Sequence, residues 1–133
     1  VLGDTVNLAS RLEGANGVYG TGSLIAESTV LAAGDAFVFR RIDRLAVKGK
    51  EEVVAVYELL GRRGDVREDD PRRTTLEQAL ALYQDRAFET ALGLLTPLDQ
   101  ADPAAARLAA RCRGAIERPP PPDWDGATHL TTK

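Results

Sequence analysis

Apolar positions in this chain recur with two different periods, and the change between them divides it. Leu8, Leu12 and Ala15 recur at i, i+4 and i+7, which predicts a helix over residues 4 to 15 lying on a packed surface. Asp4 or Thr5 can cap its start, and Gly14 or Gly17 can end it. Residues 17 to 22, Gly-Val-Tyr-Gly-Thr-Gly, are too rich in glycine for a regular element and predict a turn. A short strand at 23 to 26 and a short helix at 27 to 33 follow, the helix ended by Gly34-Asp35. From Ala36 to Val47 the pattern alternates as a strand does, with Phe37 and Phe39 on one face and Val38 and Arg40 on the other. The more charged second part, from Ile42, is where a bulge or bend is expected. Lys48-Gly49-Lys50 predicts a turn, and Glu51 to Leu60 a returning strand with Val53, Ala55, Tyr57 and Leu59 on one side. Two or three antiparallel strands are marginal alone in water. The expectation is that further strands precede Val1, and that the chain is the C-terminal portion of a longer protein, since it opens without Met.

Residues 61 to 73 are charged and nearly free of apolar side chains, so a linker is placed at 63–73. Residues 74 to 118 then turn helical. Leu76, Ala79, Leu80 and Tyr83 form one stripe, broken at Asp85-Arg86. Phe88, Ala91, Leu92, Leu94, Leu95 and Leu98 form a second, stopped at Asp102-Pro103. A third helix from Ala104 to Ile116 turns Leu108, Ala109 and Cys112 inward. Ala91, Leu95 and Pro103 keep the small, large and proline spacing of a tetratricopeptide repeat, and only one such unit fits. It should therefore dock on the preceding domain or pair with another copy. The tail, 119–133, opens on four prolines and Asp123-Trp124-Asp125-Gly126, so Trp124 is either an anchor for a groove or part of a mobile tail.

Composition mainly excludes. A formal charge of -3 leaves no basic excess for general nucleic-acid binding. No run of about 18 apolar residues appears, so no membrane contact is expected within the chain. The single Cys112 and single His129 remove an internal disulfide, cysteine- or histidine-paired metal sites and an internal His-based triad.

Candidate chemistry lies in the first helix. Asn7 and Arg11 are one turn apart and project from one face. An amide that can orient a sugar or base oxygen, beside a guanidinium that can grip phosphate, is a nucleotide-handling pair. Lys50, Arg40, Arg41 and Arg44 are read as solvated surface charges, and Glu13 as a helix-surface residue.

The run Gly3-Asp4-Thr5-Val6-Asn7-Leu8-Ala9-Ser10-Arg11-Leu12-Glu13 resembles the C-terminal half of class III adenylate and guanylate cyclase catalytic domains. The resemblance continues through Asn16, Tyr19-Gly20-Thr21-Gly22, Arg44 to Lys50 and Val56-Tyr57-Glu58-Leu59, covering residues 1–62. The helical part and its Pro-Pro-Pro-Pro-Asp-Trp-Asp-Gly tail resemble the ends of bacterial membrane-bound cyclases with an extracytoplasmic CHASE-type sensor.

The resemblance implies an α+β fold: the C-terminal part of a ferredoxin-like nucleotide cyclase domain, followed by a small tetratricopeptide-like helical segment. It implies a homodimer with its site at the subunit interface, converting ATP to cyclic AMP and pyrophosphate, with GTP as the alternative substrate. The residue matching Asn7 orients the ribose, that matching Arg11 stabilises charge at the α-phosphate, and that matching Lys48 contacts the terminal phosphates. The ligands for Mg²⁺ or Mn²⁺, and the base-selecting residues, fall N-terminal to Val1 by the same resemblance. This portion is then expected in the cytoplasm, inactive alone, in a protein anchored in a bacterial inner membrane. A protein partner at 74–118 is a further expectation. The competing reading is a non-catalytic, cyclase-like interaction module.

Overall fold

The computed structural model describes residue 19, residues 24–46 and residues 53–129. The expected helix at 4 to 15 and the Lys48-Gly49-Lys50 turn lie outside them. Strand β1 (Leu24–Ala26) leads directly into helix α1 (Glu27–Ala33). Gly34, at φ 65, ends α1 in a backbone region that a side chain would strain. Strand β2 (Phe37–Ala46) and strand β3 (Val53–Arg62) make a long antiparallel pair, with β1 on the other edge of β3. Three helices follow: α2 (Pro71–Gln84), α3 (Phe88–Leu95) and α4 (Pro103–Glu117). Last comes the two-residue strand β4 (Thr128–His129), parallel to β2 at Leu45 and Ala46. The sheet order is β1-β3-β2-β4, so the structure is α+β with three antiparallel strands and a short parallel addition.

The bulge expected in β2 is present. Arg41 pairs with Tyr57 and Asp43 with Val56, which leaves Ile42 as an extra residue. The insertion breaks the strict in-out alternation, so Ile42 and Asp43 are both buried. The row Val53, Ala55, Tyr57, Leu59 proves to be the outer side of β3, with Leu59 exposed. The core side carries Val56, fully buried, and Val54.

Both helix starts at an Asp-Pro pair use one device. Asp70 accepts a hydrogen bond from the Arg72 amide at 2.8 Å, and Asp102 accepts one from the Ala104 amide at 3.1 Å. In each case proline fills the first turn, where no amide is needed. Asp102-Pro103, read from sequence as a stop, is thus the start of α4, and α2 begins at Pro71 rather than Thr74.

Most positions of the predicted helical stripes are buried, while Leu92, Leu94 and Leu98 of the second are only partly so. Leu76, Ala79, Leu80, Tyr83, Phe88, Ala91, Leu95, Leu108, Ala109 and Cys112 join Ile42, Leu45 and Val56 in a single apolar cluster. The helices therefore dock on the sheet of the same chain. Alanines at 79, 91, 105 and 109 are fully buried and let the helices approach closely. Helix α2 also closes the free edge of β2: Arg73 donates to the Phe39 carbonyl at 3.1 Å, and the Arg41 amide donates to Glu77 at 2.7 Å. An edge so covered cannot recruit another strand there. Among the described residues, no helix is long and apolar enough to cross a membrane.

Trp124 is an anchor. Its ring meets Tyr83 edge-on at 5.3 Å and Phe88 at 5.9 Å, with the Arg86 guanidinium 5.5 Å from its centroid. Arg86 itself sits at φ 68, a costly conformation for a side chain. Its contact with Trp124 and its donations to the Pro120 and Pro121 carbonyls offset that cost.

Candidate functional site

Asn7, Arg11 and Lys48 lie outside the described residues, as do Glu13 and Lys50. The described structure supplies what flanks them. Tyr19, eight residues after Arg11, is 1% exposed and donates its hydroxyl to Asp43 Oδ2 at 2.8 Å. On the other side, Ala46 and Val53 are the last paired positions of β2 and β3, and Lys48 belongs to the connection between them.

Asp43 is fully buried and gathers donors from four parts of the chain. Besides Tyr19, Oδ2 accepts from Arg111 Nη1 at 2.7 Å and from the Thr128 hydroxyl. Oδ1 accepts from the Arg44 amide at 2.8 Å. Arg111 also donates to Thr128 Oγ1 at 3.1 Å and lies between two rings, 5.2 Å from Tyr19 and 5.1 Å from Tyr83. A buried carboxylate is tolerated only when paired and hydrogen-bonded, and this one is both. Burial, then the Asp43 charge, push the Tyr19 hydroxyl well above its ordinary range, so it stays a neutral donor.

Arg40 requires a correction. Sequence reading made it a solvated charge, yet it is 4% exposed. It shares the inward face of β2 with Val38, and its fork is paired with Asp102 and Glu58. That shared face was already visible in the alternation; the distant carboxylate was not. Arg41 is exposed, as expected, with its guanidinium over Tyr57 at 5.5 Å. Arg44 is half-buried and donates to the Asp125 carbonyl at 3.1 Å.

A cleft of about 330 Å³ is lined by Arg41, Tyr57, Arg73, Glu77 and Gln84 among others. Its cations are engaged: Arg41 with the Tyr57 hydroxyl at 3.0 Å, and Arg73 with the Phe39 and Glu68 carbonyls. Among the described residues, no group of three His, Cys, Asp or Glu could hold a metal ion. The resemblance places the ligands of the divalent ion N-terminal to Val1, outside these residues.

No protein-family profile matches the chain, and no solved structure matches it. Curated relatives do. The chain is 47% identical over 62 residues to an adenylate cyclase of Anabaena cylindrica, covering 44% of this chain and 12% of the relative. It is 42% identical over 60 residues to adenylate cyclase 1 of Rhizobium meliloti, covering 45% and 9%. It is 41% identical over 96 residues to the terminal-differentiation-specific adenylate cyclase of Dictyostelium discoideum, covering 68% and 4%. The chain is similar to adenylate cyclases. The matched stretches span only 4% to 12% of those cyclases' own length. A match over 68% of this chain is too long to fit within residues 1–62, so the likeness to the Dictyostelium cyclase reaches into the helical segment.

Proposed function

We propose that this chain is part of a class III nucleotide cyclase that converts ATP to 3′,5′-cyclic AMP and pyrophosphate. The observation that supports it is the 41–47% identity to proteins named adenylate cyclase, in a chain that carries Asn7, Arg11 and Lys48 together. In this reading the substrate's 3′-hydroxyl gives its proton to solvent as its oxygen attacks the α-phosphorus, the bond to the bridging oxygen breaks, and pyrophosphate leaves. Charge spreads over the phosphoryl oxygens during that in-line displacement, and catalysis is mainly positioning and electrostatic stabilisation. Arg11 offers a planar fork to the α-phosphate oxygens, which suits that charge better than a point cation would. Asn7 holds the ribose so that the 3′-oxygen is in line. Lys48, a compact charge near a hairpin end, suits the terminal phosphates.

The site is proposed to form at the interface of a homodimer. Divalent ions would be held by residues N-terminal to Val1. The portion described is proposed to lie in the cytoplasm, attached to a membrane-anchored sensor of the CHASE type. The helical segment 74–118 packs on its own sheet, and a further protein partner for it would have to use its outer side.

The test is Arg11→Ala in the full-length protein, assayed with ATP and with GTP. Turnover should fall by about 10² or more while the thermal unfolding midpoint stays put. Unchanged cyclic nucleotide production would refute the role of Arg11. Product from GTP alone would make the protein a guanylate cyclase. No product from either, in the unaltered protein, would leave a non-catalytic cyclase-like module.

A further inference from the structure

A trough runs along the outer side of the sheet where α2 covers β2. Its wider part is the cleft of about 330 Å³ walled by Arg41, Tyr57, Arg73, Glu77 and Gln84. A second hollow of about 180 Å³ shares Tyr57, Arg73 and Glu77 with it and adds Phe37 and Phe39. The strand register puts the apolar and charged groups on one face. Phe39 stands opposite Leu59 and Arg41 opposite Tyr57, and directly paired residues share a face. The Phe37 and Phe39 rings lie 6.3 Å apart and are only half-buried. The trough therefore has an aromatic half and a half rich in hydrogen-bond donors.

The donor half is not satisfied from within. Gln84 closes α2, and its stem lies against Gly126, where an added Cβ would meet Gln84 Cβ at 3.2 Å. Its amide nitrogen is buried, and among the described residues no acceptor meets it. A buried donor without a partner is destabilising. The last torsion of a glutamine is broad, so this amide can turn to an acceptor placed in the cleft. The two guanidinium groups are only partly used. Of five N–H donors each, Arg41 commits one to the Tyr57 hydroxyl, and Arg73 commits two, to the Phe39 and Glu68 carbonyls. The nearby carboxylates do not answer the rest. Glu77 takes the Arg41 backbone amide at 2.7 Å, and Glu27 stands 4.0 Å from the Arg41 fork with both side chains about half exposed. An exposed pair at that distance is weak.

We propose that this trough binds a small monocarboxylate with an apolar body. Arg41 and the Gln84 amide take the carboxylate, and the body lies over Phe39 and Tyr57. A guanidinium fork matches the two oxygens of a carboxylate, and charge-assisted bonds of this kind are about twice as strong as neutral ones. A single carboxylate fits better than a phosphate dianion, because Glu77 and Glu27 leave little net positive charge at the donor end. The cleft is at the small end of ligand pockets, which sets the size at one ring or a short chain. The site uses none of Asn7, Arg11 and Lys48, so its test is separate from that of the cyclase reading.

The experiment titrates phenylacetate into the unaltered chain, Gln84→Met and Arg41→Met, and reads binding by calorimetry and thermal unfolding. Phenylacetamide, of the same shape without the charge, and inorganic phosphate are the comparison probes. Phenylacetate should bind saturably to the unaltered chain. Affinity should be at least about tenfold weaker for phenylacetamide, for phosphate and for phenylacetate in either variant. Gln84→Met keeps the length of the side chain and removes the orphaned donor, so without probe it should unfold no earlier than the unaltered chain. No saturable binding of phenylacetate at millimolar concentrations would overturn the proposal. So would equal affinity for the amide or for phosphate, since the charge or the apolar wall would then contribute nothing. If Gln84→Met unfolds early and also loses binding, Arg41→Met decides, because Arg41 is exposed and its loss leaves the fold standing. Unchanged affinity in Arg41→Met would overturn the proposal.

Discussion

Arg40 and Asp102, sixty-two positions apart, meet as a fork on a carboxylate: Nη1 donates to Oδ2 at 2.6 Å and Nη2 to Oδ1 at 2.9 Å. Asp102 caps α4 and Arg40 stands on the core face of β2, so the pair fastens the last helix to the sheet. Arg40 Nε reaches Glu58 at 2.8 Å on the neighbouring strand, and Nη1 reaches the Arg72 carbonyl at 2.9 Å near the start of α2. One guanidinium thus ties three elements that the linear sequence holds far apart.

Arg40→Met should be strongly destabilising. The side chain fits by volume, but the buried Asp102 carboxylate loses the guanidinium that pairs it. Removing one partner of a buried pair costs about 3–5 kcal/mol. Arg40→Lys keeps the charge and loses the bidentate fork, so it should fall between. Urea unfolding followed by far-ultraviolet circular dichroism measures this. A loss below about 1 kcal/mol for Arg40→Met would mean that water replaces the fork at no cost.

The same pair sets an acid limit. Burial works against the Asp102 charge, but the Arg40 guanidinium outweighs it, and the carboxyl is held below the usual carboxylate range. A depressed folded value contributes stability that is present above the unfolded value, near 3.9, and lost as pH falls through the folded one. Stability should therefore decline from about pH 4 downward. Asp102→Asn keeps a helix-capping side chain and lacks the titration. Between about pH 5 and about pH 3 it should lose less stability than the unaltered chain, although it starts lower. Parallel slopes across that range would remove Asp102 from the acid response.

These residues show where sequence reading succeeds and where it stops. The stripe Leu76, Ala79, Leu80, Tyr83 and the strand pair β2–β3 were legible because local periodicity alone produces them. The bulge at Ile42 was expected from the charge of its neighbourhood. Its consequence, a buried Asp43, was not, because a register shift reverses faces only after the partner strand is known. Arg40 looked solvated because its partner Asp102 is visible only in three dimensions. Trp124 could not be decided from the tail, since its pocket is made by Tyr83 and Phe88 of other helices. The site itself was read from Asn7, Arg11 and Lys48 as a motif. The described residues add the buried Tyr19–Asp43 pair, which no spacing rule would single out.

Cys112 is fully buried among the helices, and burial pushes its thiol up from the ordinary range. Thiolate is the reactive form, so a native protein should resist alkylation. Labelling by iodoacetamide at neutral pH should proceed only as fast as the helices open, and accelerate steeply at the urea midpoint. Rapid labelling in native buffer would show that α4 leaves the sheet on its own.

Gly126 makes the docking of the tail testable by a single methyl group. It sits at φ 80, and a Cβ there would meet Gln84 Cβ at 3.2 Å, so Gly126→Ala is strained and crowded at once. Left-handed backbone at a side-chain-bearing residue costs about 1–3 kcal/mol. That strain is concentrated on the tail, between the Trp124 anchor and the β4 pairing with Leu45 and Ala46. Trp124 is the only tryptophan of the chain, so its emission reports tail docking without a label. In Gly126→Ala the emission maximum should lie to the red of the unaltered protein in native buffer. In mild urea it should shift before the far-ultraviolet signal of the helices changes. An unmoved maximum, with both signals lost together, would mean that the tail and the helices open as one unit.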